Sequence, residues 1–122
     1  MRIALVLPGL TESNLRLARQ LGATDIVSSL PREQRRGPAW GSQPLLRLRK
    51  KAEDAGLTLS VIESIPIPDR VKLGQPGRDQ DIEHFCQSLR NMGAAGIPIL
   101  CYNWMAVFGW LRTSFTTRVR GD

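Results

Sequence analysis

The chain has 122 residues, of which 42% are hydrophobic and 23% charged, with a mean hydropathy of −0.18. That is globular composition, and it excludes a disordered or collagen-like chain. No apolar run reaches the roughly 18–20 residues that a membrane-spanning helix needs, so no membrane partner is expected.

The formal net charge is +6, and fourteen of the seventeen basic residues are Arg. They are scattered, with the densest groups at Arg32, Arg35 and Arg36 and at Arg47, Arg49, Lys50 and Lys51. Scattered cations read as solvated helix faces and loops, and no nucleic-acid partner is expected. Two cysteines, Cys86 and Cys101, are too few for a disulfide scaffold and read as small buried hydrophobes, which fits a reducing, cytoplasmic setting. His84 is the only histidine, so most His-based metal or triad chemistry cannot be completed within the chain. It flanks an apolar stripe and reads as a boundary residue.

Along the chain, strands and helices alternate. Residues 2–7 are mostly apolar and stop at Pro8-Gly9 without a small-residue cleavage site. They read as a strand buried on both faces, not as a signal peptide. Residues 11–14 (TESN) carry helix-start chemistry, Leu15, Ala18 and Leu21 follow at helical spacing, and Gly22 ends the helix. Residues 25–28 (DIVS) are a second strand, and the Pro-, Gly- and Arg-rich residues 30–41 a loop. Ser42 is the expected cap of a second helix, with Pro44 in its first turn and Leu45, Leu48, Ala52 and Ala55 on its buried face. Residues 57–63 (LTLSVIE) are the third strand, followed by a long Pro- and Gly-rich loop. Asp79 is the expected cap of a third helix whose apolar stripe is Ile82, Phe85, Cys86, Leu89 and Met92. Residues 97–102 (IPILCY) are the fourth strand.

The order βαβαβαβ predicts an α/β fold with a parallel sheet and right-handed crossovers. No Gly-rich phosphate turn follows the first strand, which argues against a dinucleotide site. The alternation suits a (β/α)₈ TIM barrel, but a full barrel needs roughly 250 residues. Residues 1–122 therefore read as one partial TIM-barrel domain, the N-terminal half, whose outer strands need a partner, a second copy or further chain.

In a barrel, chemistry sits where strands end and βα loops begin. Glu63 is the carboxylate at such an end: a general base or a hydroxyl acceptor, or equally a structural carboxylate holding a loop. Tyr102 and Asn103 offer a phenol and an amide for substrate, or anchor a turn. Lys72 and Arg70 face an anionic ligand or are exposed loop charge. Arg112 clamps a carboxylate or stacks on Trp110 or Trp104. Trp104, Met105, Phe108 and Trp110 read first as core or pocket wall. Glu63, Lys72, Tyr102, Asn103 and Arg112 are the candidate substrate-binding residues; no catalytic residue and no metal ligand is assigned.

Four strings carry a resemblance that covers nearly the whole chain: residues 57–79, which include LTLSVIES, IPIP, VKLG and GRD; residues 90–97; residues 23–28; and above all residues 101–113, from CYNWM to WLRT. Together they resemble the mannonate dehydratases. The resemblance implies a TIM barrel of the sugar-isomerase type, a divalent metal (Mn²⁺ or Fe²⁺), and dehydration of D-mannonate to 2-dehydro-3-deoxy-D-gluconate in glucuronate breakdown. In the implied reaction a metal polarises an oxygen of the sugar acid. A base removes the proton beside the carboxylate, and water leaves from the adjacent carbon.

The implied metal ligands (His, Cys, His and Asp) belong to later strands, and none maps onto this chain. Members are much longer, and Ala106 stands where many have Pro. The expectation is an N-terminal portion, inactive alone. The alternatives are a non-catalytic half barrel in a split or homo-oligomeric assembly, or another barrel of the sugar isomerase, epimerase or DNA-repair endonuclease type.

Overall fold

A computed structural model describes residues 1–35, 37–106, 109, 114 and 116. Arg112, Phe108 and Trp110 lie outside the described residues. The elements run β1 (Ala4–Val6), α1 (Glu12–Gln20), β2 (Asp25–Ser28), a 3₁₀ turn (Arg32–Gln34), α2 (Ser42–Asp54), β3 (Thr58–Glu63), α3 (Asp69–Lys72), α4 (Arg78–Ala94) and β4 (Ile99–Cys101). The strands form one parallel sheet in the order β1-β2-β3-β4, each paired with its neighbour in sequence. This is the α/β architecture of a partial TIM barrel.

The helices start and stop where local chemistry directs. Thr11 caps α1, its hydroxyl accepting from the Asn14 amide at 3.2 Å. Two caps differ from expectation. Gly41, not Ser42, precedes α2, and Gly77, not Asp79, precedes α4. Gly77 has φ 87°, a left-handed turn that an L side chain adopts only with strain, and Asp79 lies inside the first turn. There it still complements the helix dipole. The loop after β3 also winds one unexpected turn, α3.

Register decides which side chains share a face. Leu5, Ile26 and Leu59 are cross-strand partners, as are Ser28, Ile62 and Leu100. Leu5, Ile26, Leu59, Ile62 and Leu100 meet Leu15, Ala18, Leu45, Leu48, Ala52 and Met92 from α1, α2 and α4 in a single core. The opposite face carries an unbroken row across all four strands: Val6, Val27, Val61 and Ile99. Nothing in the described chain covers it, and Val6 is 65% and Ile99 51% exposed.

That concave face corrects two expectations. The first strand is not buried on both sides, because helices cover only one and β1 is an edge. Cys101 is exposed, not buried, because it sits beside Glu63 in the next row of the open face. A third correction concerns α4, where Ile82 and Leu89 are exposed. The inward residues are Asp81, Ser88 and Met92, with Phe85 partly buried against the core. Of the two exposed residues, Ile82 borders an open apolar cavity beside Val71 and Tyr102 and is not packed into the core.

Candidate functional site

The C-terminal ends of parallel strands gather the βα loops on one side of the sheet. There, the loops after β2, β3 and β4 enclose a solvent-open cavity of about 600 Å³, lined by Arg32, Ser64, residues 65–67, Lys72, Asn103 and Met105 among others. Ser64 turns the chain out of β3 with φ 64°, while its amide donates to the Cys101 carbonyl at 2.9 Å. A left-handed non-glycine residue at a strand end is backbone held in place by its surroundings. Lys72 closes the cavity from the side. Its ammonium donates to the Met105 carbonyl at 2.7 Å and to Asp69 at 3.0 Å, and its side chain is only 11% exposed. It thereby ties the loop after β3 to the loop after β4.

The candidate residues are thus divided. Lys72 and Asn103 line this cavity together. Glu63, half-buried, belongs to the concave face beside Cys101 and is absent from the lining. Tyr102 lies against a second, apolar cavity of about 310 Å³ with Trp104, Ile82 and Phe85. Arg70 does not face a ligand, because its guanidinium is paired with the buried Asp81, with Nη2 2.6 Å from Oδ1. This pair fastens α3 to α4, and Arg70 holds the Asp81 carboxyl below the usual carboxylate range. Arg112 falls outside the described residues. Arg32, Ser64 and the Met105 carbonyl were not singled out from sequence as site groups. Arg32 gave no signal beyond membership of an Arg-rich loop.

The opposite end of the sheet holds a different cluster. Asp25, 2% exposed, accepts from Arg2 (Nε at 2.9 Å), from the Thr24 hydroxyl at 2.6 Å and from Ser60. Ser60 reaches it because the β2–β3 register slips there: Ile26 pairs with Leu59 and Val27 with Val61, leaving Ser60 as the extra residue. Buried polar groups at the N-terminal end of such a sheet serve stability, not chemistry.

Among the described residues no three His, Cys, Asp or Glu side chains come together as a metal cage. Glu63 and Cys101 are cross-strand partners, which makes two such side chains together, not three. The described residues therefore do not fit the divalent metal that the family resemblance implies. No described helix is long and apolar enough to cross a membrane.

A parallel α/β sheet with its polar cavity on the C-terminal side defines part of a (β/α)-barrel enzyme fold. The sequence pattern described as D-mannonate dehydratase (UxuA) matches residues 3–121, and the chain belongs to that family. It is 52% identical over 77 residues to a mannonate dehydratase of Streptococcus suis (strain 05ZYH33), and 51% identical over 77 residues to that of Streptococcus pneumoniae (strain 70585). Each match takes in 63% of this chain and 21% of the relative. The crystal structure of mannonate dehydratase from Streptococcus suis serotype2 superposes with a TM-score of 0.82 at 38% identity, over 93% of this chain and 33% of that one. The chain thus spans about a third of the solved relative.

Proposed function

We propose that this chain supplies the N-terminal strands and loops of a mannonate dehydratase, a lyase that converts D-mannonate to 2-dehydro-3-deoxy-D-gluconate in the cytoplasmic breakdown of glucuronate. The observation that carries the reading is the family match over residues 3–121, whose strand-end loops build the polar cavity around Ser64, Lys72 and Asn103. In this reading the cavity binds and orients the sugar acid. Asn103 and Ser64 hydrogen-bond hydroxyl groups, and Lys72 keeps the loops after β3 and β4 in register. Glu63, on the concave face, accepts a substrate hydroxyl from the barrel interior. The Mn²⁺ or Fe²⁺ implied by the family takes its ligands from outside the described residues, so no step is assigned through it here. The open edges β1 and β4 are completed by further barrel strands, from additional chain or a second copy.

The test is direct. Mixed with Mn²⁺ and D-mannonate, the chain alone is expected to form no 2-dehydro-3-deoxy product and to bind Mn²⁺ no better than a generic protein surface. Stoichiometric, submicromolar Mn²⁺ binding in a calorimetric titration would place the metal site in this chain and overturn that assignment.

A further inference from the structure

We propose that Arg32 is the carboxylate anchor of the site, the residue that selects an acid over a neutral polyol. This rests on the dehydratase reading and names the group that reads the charge of its substrate. Arg32 opens the 3₁₀ turn after β2 and stands between two cavities on the C-terminal side. One is shared with Ser64, Lys72 and Asn103; the other runs past Gly9 and Thr11, from the loop after β1. All four βα loops therefore contribute to the two cavities that Arg32 lines.

The charge balance favours an anion. No described Asp or Glu lines either cavity. The Lys72 ammonium already faces Asp69 and a carbonyl, whereas no acceptor among the described residues is paired with the exposed Arg32 guanidinium. Its turn is braced independently. The Arg35 amide donates to the Arg32 carbonyl at 3.1 Å, and the Arg35 side chain holds the Leu30 carbonyl and the Ser29 hydroxyl, each at 2.7 Å. A planar guanidinium on a braced turn suits two parallel hydrogen bonds to a carboxylate. The neutral polar groups beside it, Ser64 and Asn103, suit hydroxyls. Carboxylate at one end and hydroxyls along the rest is the pattern of an acyclic sugar acid, and a cavity of about 600 Å³ admits one.

The experiment titrates D-mannonate, D-mannitol and acetate into the full chain, following amide shifts by NMR. It compares the natural sequence with Arg32→Gln, Arg32→Lys and Arg47→Gln. Arg32 and Arg47 are both exposed, so the folds are retained, and Arg47→Gln removes the same charge far from the cavities. The expected result is D-mannonate binding that weakens at least about tenfold in Arg32→Gln, recovers in part in Arg32→Lys and is unchanged in Arg47→Gln, with mannitol far weaker throughout. Equal D-mannonate affinity in Arg32→Gln and the natural chain overturns the anchor while leaving the dehydratase reading in place. Acetate and D-mannonate bound alike, both through Arg32, support the carboxylate site and count against the dehydratase reading. Binding of neither overturns the anchor.

Discussion

Asp25 is a buried carboxylate whose ionised form the fold stabilises. The Arg2 guanidinium first, then the Ser60 and Thr24 hydroxyls, hold its carboxyl far below the usual carboxylate range, against the opposing pull of burial. A folded-state pKa below the unfolded one means that the stabilisation is complete at neutral pH. It begins to fade as pH falls past about 4, and is lost as pH drops through the still lower folded value. Urea midpoints measured from pH 7 to pH 2 should show this decline. Asp25→Asn is expected to lower stability at pH 7 by about 2 kcal/mol and to flatten the acid limb. It will not flatten it completely, because Asp81 is depressed in the same direction by Arg70. A variant with an unchanged acid limb would show that the cluster is not linked to folding. Nothing in the residue pattern marked Asp25: it read as the first position of a strand, and its partners Arg2 and Ser60 lie 23 and 35 positions away.

Among the elements, α4 organises the loop that leads into α2. The Ser88 hydroxyl accepts the Trp40 amide at 2.9 Å and donates to the His84 carbonyl at 2.9 Å, while the Asn91 side chain donates to the Trp40 carbonyl at 2.7 Å. Both backbone groups of a buried tryptophan are thus satisfied by one helix. Ser88→Ala strands the Trp40 amide, and an equilibrium denaturation series should find it about 1–3 kcal/mol less stable, with no loss of helix by circular dichroism. A neutral substitution would mean that water replaces the hydroxyl.

Apolar runs placed the four strands, and glycines placed the ends of the three long helices, because those signals are local; the single turn α3, inside a Pro- and Gly-rich segment, was not legible. Less legible was which side of α4 faces inward. The sequence stripe ran through Ile82 and Leu89, but the inward position falls to Ser88, whose hydroxyl has work at Trp40. Glu63 was legible as a strand-end carboxylate. That it belongs to the concave row follows from the register slip at Ser60, which leaves no mark on residue type. Arg32 was hidden for the opposite reason, since an arginine among arginines carries no spacing signal.

At the scale of the molecule, the described residues pack one face of the sheet and leave the other open. The row Val6, Val27, Val61 and Ile99 is what the inside of a barrel presents, and parallel sheets are ordinarily covered on both sides. Among the described residues no further strand pairs with the β1 and β4 edges beside it. The chain alone is therefore expected to self-associate, with sedimentation velocity showing species larger than a monomer at micromolar concentration. Ile99→Lys places a charge at the β4 end of the open row, on an edge strand, and should shift the distribution toward monomer at little cost in stability, because Ile99 is half exposed already. A natural chain that sediments as a monomer would count against an assembly built on this face.

The strand order also sets an order in time. Because every strand pairs with the one before it in the chain, each βα unit finds its neighbour already made when it emerges from the ribosome. The helices seal their side of the sheet step by step. No described helix covers the row of Val6, Val27, Val61 and Ile99, so on a nascent chain that face stays open to aggregation.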